Sequence, residues 1–184
     1  MNMEYSGDPL AHLRAWLETD VVALATATPD GAPSVRMVLL KGADEQGLVF
    51  YTGYESRKGR ELAENPRAAI LVHMPGRQIR VEGPVEKISS EESDAYWATR
   101  PRGSQIAAVV SKQSEPIDSR QALELRFAEL DAAHPDEIPR PAHWGGYRLV
   151  PDIYEFWEHR ENRLHDRVRY QREGDGWAME RLQP

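Results

Sequence analysis

The 184-residue sequence contains no cysteine, which excludes disulfide bonds, thiolate metal sites and cysteine nucleophiles. It also lacks an apolar run of membrane-spanning length, and residues 1–8 have neither the basic nor the apolar region of a secretory signal. The six histidines are scattered, without carboxylates at the spacing that metal ligands require. We therefore expect a cytoplasmic protein with no membrane association and no metal site.

Familiar catalytic motifs are missing as well. No Gly-x-Gly-x-x-Gly follows a predicted strand and no Gly-x-x-x-x-Gly-Lys loop is present, which excludes the Rossmann dinucleotide site and the P-loop. His-Glu-x-x-His and Gly-x-Ser-x-Gly are absent too, so zinc-peptidase and α/β-hydrolase sites are not expected. The chemistry must come from other combinations of residues.

The distribution of charge is more informative than its total. The formal net charge of −7 argues against nucleic-acid binding, which needs a basic face. Yet residues 36–80 hold eight Lys or Arg against five acids, and residues 160–172 hold five against two. Local basic patches on an acidic protein indicate small anionic ligands.

Short strands dominate the pattern of the chain. Runs such as Val21–Thr28 and Gln78–Ile88 are bounded by turn residues such as Pro75-Gly76. Helices are predicted at about 9–18, 56–64, 90–110 and 118–134, and core packing explains the apolar face of the last. We predict a single domain over residues 1–184, mainly β, in which helices are inserted into a small antiparallel barrel.

Two stretches have the composition of anion-binding sites. Ser56-Arg57-Lys58-Gly59 lies at a predicted helix N-terminus, where free N–H groups, a hydroxyl and two cations suit a phosphate. Arg36 and Lys41 are five residues apart on one strand, so they point to opposite faces or lie at opposite ends of a twisted strand, and we expect them to serve two anions and not one phosphate. A second phosphate would fit Tyr96, Arg100 and Ser104, with Ser104 capping the next helix. For this set, a core tyrosine with a surface arginine and an ordinary cap is an equally good interpretation.

A run near the C-terminus, Asn162–Arg167, carries three polar cationic or titratable groups. If the run is extended, Arg163, His165 and Arg167 lie on one face, which favours contact with a ligand, carboxylates or water. A solvated edge strand with a charged stripe is the alternative. Elsewhere, Gln78, Gln113 with Ser114, and Trp157 could bind the polar edge of a flavin or pack on its plane, although Trp157 alone would be a core aromatic.

Several motifs recur in one known family. They are Arg36-Met37-Val38-Leu39-Leu40-Lys41, Phe50-Tyr51-Thr52, Ser56-Arg57-Lys58-Gly59, Arg77-Gln78, Ser111-Lys112-Gln113-Ser114, Glu155-Phe156-Trp157 and Arg163-Leu164-His165-Asp166-Arg167. In this order, the chain from about Asp8 to Pro184 resembles the pyridoxine/pyridoxamine 5'-phosphate oxidase family. The resemblance implies a homodimeric split β-barrel of antiparallel Greek-key type, which binds FMN at the subunit interface.

The resemblance also implies roles for individual residues. It assigns to FMN the residues Arg36, Met37, Val38, Leu39, Lys41, Tyr51, Thr52, Arg57, Lys58, Gln78, Gln113, Ser114, Trp157 and Arg167. It assigns to the substrate phosphate the residues Lys41, Tyr96, Arg100 and Ser104. Arg163 and His165 would lie on the substrate ring as the catalytic pair.

The implied reaction converts pyridoxine or pyridoxamine 5'-phosphate to pyridoxal 5'-phosphate. A hydride would pass to flavin N5, and molecular oxygen would reoxidise the flavin to give hydrogen peroxide. The alternatives are a related phenazine-pathway oxidase and a non-enzymatic flavin- or haem-binding split barrel. Three features depart from the family: a short 73–77 turn, Glu158-His159 after Trp157, and little of the N-terminal segment ahead of Asp8.

Overall fold

A computed structural model of the protein describes residues 7–184, so the expectations for residues 1–6 lie outside the described residues. Five helices are present: α1 (Pro9–Trp16), α2 (Arg57–Glu64), α3 (Ser90–Thr99), α4 (Arg102–Val110) and α5 (Arg120–Ala133). Nine strands accompany them: β1 (Val21–Ala27), β2 (Pro33–Asp44), β3 (Gly47–Gly53), β4 (Arg67–Met74), β5 (Arg77–Lys87), β6 (Trp144–Leu149), β7 (Ile153–Glu158), β8 (Asp166–Glu173) and β9 (Gly176–Arg181). None of these helices is long and apolar enough to cross a membrane.

Six strands close into a barrel. They are hydrogen-bonded in the order β4-β1-β2-β3-β6-β5, and β5 pairs back with β4. All the pairs are antiparallel, and β4 lies beside β1 after the β1–β2–β3 meander, which is the Greek-key arrangement. The predicted mainly β, Greek-key barrel is confirmed.

Strand β5 belongs both to the barrel and to a sheet that extends from it. Residues 77–82 pair with β7, which continues into β8 and β9, whereas residues 85–87 pair with β6. The change of partner occurs at Gly83, where an added Cβ would lie 1.9 Å from the Val150 carbonyl oxygen. Only glycine allows the two backbones to approach so closely.

Two apolar clusters stabilise the molecule. The barrel interior holds Phe50, Ile70 and Ile79, each fully buried, and α1 closes it with Leu13 and Trp16. A second cluster of Trp97, Ile106, Ile138 and Trp144 lies beneath α3, α4 and α5. This second cluster fixes the helices along one wall of the barrel.

The helices differ from the sequence-based expectations in detail. Helix α1 ends at Trp16 because Leu17 is extended, and the 90–110 helix is divided because Pro101 disfavours helical geometry at Arg100. Helix α4 is capped at Pro101, so the expected capping role of Ser104 is wrong. Helix α5 has no fully buried residue, but its Phe127 and Leu130 pack against the second cluster, so the expected core packing of its apolar face is on that cluster and not on the barrel interior.

The run Asn162–Arg167 is not extended. Glu161–Arg163 forms a single 3₁₀ turn, and Asn162 and Arg163 have left-handed φ values of 55° and 61°. The chain must reverse between β7 and β8, and asparagine tolerates this conformation better than most residues. Since β8 begins only at Asp166, neither Arg163 nor His165 lies on a strand face with Arg167.

One face of β2 leaves large apolar side chains exposed. Val35, Met37 and Leu39 keep 69%, 60% and 48% of their surface, and Val21 on β1 lies opposite Leu39. A contiguous apolar stripe of this kind marks an interaction surface. We refer to Val21, Val35, Met37 and Leu39 as the β2 stripe.

Candidate active site

A cleft of about 1420 Å³ opens between β2, β3, the start of α2, and α3 with α4. Most ligand pockets measure roughly 300–1,000 Å³, so the cleft has room for a cofactor together with a substrate. Fourteen of the predicted site residues line it: Arg36, Met37, Val38, Leu39, Lys41, Tyr51, Thr52, Arg57, Lys58, Tyr96, Arg100, Ser104, Gln113 and Ser114.

The first turn of α2 forms a cationic wall of the cleft. Ser56 caps the helix by accepting a hydrogen bond from the Gly59 N–H, which leaves the N–H groups of residues 57 and 58 without an intrahelical acceptor. Lys58 is 6% exposed, and its Nζ donates to Thr52 Oγ1 at 2.8 Å and to Gln113 Oε1 at 3.0 Å. These contacts fix a buried ammonium group beside the helix N-terminus, where an anion would be stabilised.

The charge of Lys58 is only partly compensated. Burial lowers the pKa of Lys58 to about 8, the positive charge of Arg36 acts in the same direction, and Glu61 opposes both. Arg36 donates to the Leu24 carbonyl at 3.1 Å, to Thr26 Oγ1 at 2.6 Å and to Ser34 Oγ. An anion placed here would favour the protonated state of Lys58 and raise its pKa.

Aromatic rings form the opposite wall. Tyr96 stacks on Tyr51 at 3.9 Å between ring centroids, and both rings lie nearly parallel to Trp144. The Arg100 guanidinium lies 4.5 Å from the centre of the Trp144 ring, and its Nη1 is buried without a hydrogen-bond partner among the described residues. A buried guanidinium nitrogen without an acceptor suits an anionic ligand.

Arg36 and Lys41 occupy different parts of the cleft, as their spacing predicts. A register shift between Leu40 and Gly42 marks a bulge at Lys41, whose Nζ pairs with Asp20 at 2.7 Å. Between them, Met37 and Leu39 present apolar surface from the β2 stripe. The cleft therefore combines two cationic regions with an apolar strip.

Five predicted site residues lie outside this cleft, and we call them the strand-end cluster: Gln78, Trp157, Arg163, His165 and Arg167. Gln78 on β5 lies opposite Trp157 on β7, and Trp157 lies opposite Arg167 on β8. The ring centroids of Trp157 and His165 are 4.6 Å apart. Four strand spacings separate β2 from β7 through β1, β4 and β5, a path of about 19 Å along the sheet.

The geometry of His165 defines its neutral form. Its Nδ1 accepts a hydrogen bond from the Arg160 backbone N–H at 3.2 Å, so the neutral ring carries its proton on Nε2. Arg163 lies in the preceding turn with an exposed side chain. The cluster can therefore present an Nε2–H donor and a guanidinium.

The departures at Glu158 and His159 affect the strand-end cluster differently. Glu158 is ion-paired with Arg77 at 3.1 Å and Arg160 at 2.8 Å, so it adds no uncompensated charge. The His159 ring lies 5.2 Å from His165, which does add bulk beside the cluster. The short turn places its Gly76 carbonyl where it accepts the His159 N–H at 2.8 Å.

Some site residues were not identified from the sequence. Glu61 is 4% exposed and accepts hydrogen bonds from Thr26, Ser34, Arg36 and Arg57. The i,i+4 spacing of Arg57 and Glu61 on a predicted helix could have indicated their ion pair. His143, which also lines the cleft, has no such signal because it lies in a loop far along the chain. The described residues contain no group of three metal-binding side chains.

Comparison with known protein families identifies the chain. The family model described as pyridoxamine 5'-phosphate oxidase matches residues 10–134, and the pyridoxine 5'-phosphate oxidase C-terminal dimerisation region matches residues 144–184. The chain belongs to the pyridoxamine 5'-phosphate oxidase family. Membership confirms the expected class of FMN-dependent oxidoreductase and the dimerisation region of a homodimer.

Individual relatives agree with this assignment. A pyridoxine/pyridoxamine 5'-phosphate oxidase of Rubrobacter xylanophilus is 58% identical over 94% of this chain and 81% of its own length. One from Gluconobacter oxydans is 50% identical over 99% and 97%. The crystal structure of PhzG from Burkholderia lata with tetrahydrophenazine-1-carboxylic acid is similar too, with 34% identity, a TM-score of 0.92 and coverage of 100% and 98%.

Proposed function

We propose that this protein is an FMN-dependent oxidase of pyridoxine 5'-phosphate, pyridoxamine 5'-phosphate or both. The product is pyridoxal 5'-phosphate, with oxygen as electron acceptor and hydrogen peroxide as the second product. With the amine substrate, water hydrolyses the resulting imine and releases ammonia. A cytoplasmic location stays a prediction.

The observation that carries the proposal is the presence of two cationic regions in one cleft. Arg36, Arg57 and Lys58 surround the N-terminus of α2, whereas Arg100 lies across the cleft against Trp144. A flavin mononucleotide and a vitamin B6 phosphate each carry one phosphate, so the reaction needs two anion sites. FMN supplies the two-electron chemistry when it is bound.

The residues fit this cofactor. The donors at the start of α2 suit its phosphate, Ser114 lies in the neighbouring loop, and Tyr51, Thr52 and Gln113 lie alongside. The apolar surface of Met37, Val38 and Leu39 suits the flat ring system. On the substrate side, Lys41, Tyr96, Arg100 and Ser104 hold the second phosphate and keep the reacting carbon in place.

The remaining site residues come from the second subunit in this proposal. The strand-end cluster is separated from the cleft of its own chain, and the β2 stripe beside the cleft is exposed. An isologous dimer that covers the stripe would carry the partner's Gln78, Trp157 and Arg167 to FMN. The partner's Arg163 and His165 would then lie on the substrate ring, where His165 Nε2–H donates a hydrogen bond.

A phenazine-type oxidase is the second candidate because of the similarity to PhzG. The number of donors favours the first candidate, because Lys41, Tyr96, Arg100 and Ser104 all line the cleft, and a phosphate offers three terminal oxygens to them where a carboxylate offers two. Membership in an oxidase family favours either enzyme over a non-enzymatic flavin or haem carrier.

An oxidase assay tests the proposal. Purified protein reconstituted with FMN should release hydrogen peroxide and form pyridoxal 5'-phosphate with at least one of the two phosphorylated substrates. Unphosphorylated pyridoxine and a dihydrophenazine carboxylate serve as comparison substrates. Turnover of the phenazine compound alone would favour the second candidate, and no turnover of any substrate would contradict both.

A further inference from the structure

Glu61 joins the two arginines of the cleft. Its Oε1 accepts a hydrogen bond from Arg57 Nε at 2.8 Å, and its Oε2 accepts one from Arg36 Nη2 at 3.3 Å. Thr26 and Ser34 also donate to Oε2. Three elements, β1, β2 and α2, thus meet at one buried carboxylate.

The two arginines depend on this carboxylate to different degrees. Arg36 also donates to Leu24, Thr26 and Ser34, so its guanidinium remains fixed without Glu61. The Arg57 side chain is 59% exposed, and Glu61 holds only its Nε. The terminal nitrogens of Arg57 stay available to a ligand while the rest of the side chain is held.

We propose that Glu61 is a positioning residue, which holds the Arg57 guanidinium toward the cleft and sets its distance from Arg36 for the phosphate of the cofactor. This inference rests on the proposed FMN site. Glu61 touches neither cofactor nor substrate in this role and acts through the arginines. A carboxylate can bridge two guanidinium groups that would otherwise repel each other. Glu61 in this way fixes the position of one arginine relative to the other.

Glu61 is suited to this role because it stays ionised. Burial opposes its charge, but hydrogen bonds from Ser34, Thr26 and Arg57 and the charge of Arg36 outweigh burial and lower the pKa of Glu61 to about 2. Three cations and one carboxylate leave a formal charge of +2 when Lys58 is protonated. That charge balances a phosphate dianion.

Two substitutions separate geometry from charge. Glu61→Gln keeps the shape but replaces one acceptor oxygen with an NH2 donor, which cannot accept from the arginine that faces it. Glu61→Asp keeps the charge but is one methylene shorter. Glu64→Gln, at the exposed end of the same helix, is the matched control.

The measurement is the affinity of the apoprotein for FMN and for riboflavin, which lacks the phosphate, followed by quenching of flavin fluorescence. We expect both Glu61 variants to bind FMN about tenfold more weakly, with riboflavin affinity changed by less than about twofold. The Glu64 variant should match the unsubstituted protein. A merely structural role would weaken both ligands equally, and that result would overturn the inference.

A double-mutant cycle tests whether Glu61 acts through Arg57. In an Arg57→Ala background, Glu61→Gln should change FMN affinity by less than about threefold. An unaltered tenfold effect there would overturn the inference, as would FMN binding to Glu61→Gln that is equal or tighter. If Glu61→Gln does not fold, the same cycle is run with Glu61→Asp. Failure of the unsubstituted protein to bind FMN would instead contradict the proposed function itself.

Discussion

The cleft and the strand-end cluster hold their arginines in different ways. In the cleft, Arg36 and Arg57 share a single carboxylate, Glu61, and the nearby Lys58 donates only to neutral oxygens. Near the strand ends, Arg167 and the neighbouring Arg80 both pair with a buried carboxylate, that of Glu155, which is 2% exposed. The difference supports the proposed division of roles, in which the cleft binds the two phosphates and the strand-end cluster binds the rings.

Substitution of one arginine in each region should give the largest effect. Arg100→Met removes the buried donor from the cleft, and Arg163→Ala removes the exposed guanidinium from the strand-end cluster. We expect each to lower kcat/KM for the phosphorylated substrate about 100-fold while FMN remains bound. Steady-state kinetics and flavin titration check this.

Arg120→Ala is the control, because the Arg120 side chain is 90% exposed on α5. It should leave kcat/KM and FMN binding unchanged. If Arg163→Ala behaves like this control, Arg163 does not belong to the active site.

Mixed dimers test whether the two regions come from different subunits. Co-expression of Arg100→Met and Arg163→Ala chains gives heterodimers in about half of the dimers. If each site takes Arg100 from one chain and Arg163 from the other, a heterodimer has one site with both defects and one with neither. Random pairing should therefore restore about a quarter of the normal activity, far above either variant alone. Purified, differently tagged heterodimers, which carry one intact site of two, should show about half of the normal activity.

If each chain instead formed a complete site by itself, mixing would restore nothing. Heterodimers with the activity of the parent variants would therefore show that both regions act within one subunit.

The pH dependence of FMN affinity tests whether Lys58, the buried cation of the cleft, binds the phosphate. Since Lys58 has a pKa of about 8 in the free protein and a bound phosphate favours its charged form, binding takes up a proton above that pH. Affinity should then be about tenfold weaker at pH 9 than at pH 7. Riboflavin should lack this dependence, and Lys58→Met should abolish it for FMN.

A smaller effect concerns the contribution of His12, which packs near the strand-end cluster, to the free energy of unfolding. His12 lies against Phe156 at 4.6 Å between rings; burial and the charge of Arg77 lower its pKa below the usual 6.5, although Glu158 opposes them. Below pH 6.5 the unfolded chain therefore binds more protons than the folded protein. The neutral His12 ring makes its full contribution to the free energy of unfolding above pH 6.5, and this contribution is lost as the pH falls below 6.5. The loss cannot exceed about 1.4 kcal/mol per pH unit for one proton.

Denaturant unfolding at several pH values measures this contribution. His12→Gln should flatten the decline of the free energy of unfolding between pH 7 and pH 5. A decline of equal slope in both proteins would exclude His12 as its origin.

The fold and the cationic wall of the cleft could be predicted from the sequence because their signals are local. Strand patterns and turns indicated the barrel, and Ser56-Arg57-Lys58 showed both the cap and the cations of α2. Arg36 and Lys41 were correctly separated by strand period and the cleft brings both to its surface.

The remainder depends on contacts that sequence spacing does not encode. Glu61 becomes a bridge only when α2 packs on the β1–β2 hairpin, where Thr26 and Ser34 lie opposite each other. The Asn162–Arg163 turn replaces an extended run because the connection between β7 and β8 must reverse direction. The roles of Arg163 and His165 stay predictions, since they depend on a second subunit.

Strand β5 determines where this protein can be cut and rejoined. It pairs with β4 over residues 77–84 and divides its other edge between β6 and β7 at Gly83. A circular permutant opened between α4 and α5, in the exposed segment 116–119 beyond Gln113 and Ser114, would keep every strand pair intact. One opened at Gly83 would separate the barrel from the β7–β9 sheet, so new termini belong among the helices and not in this strand.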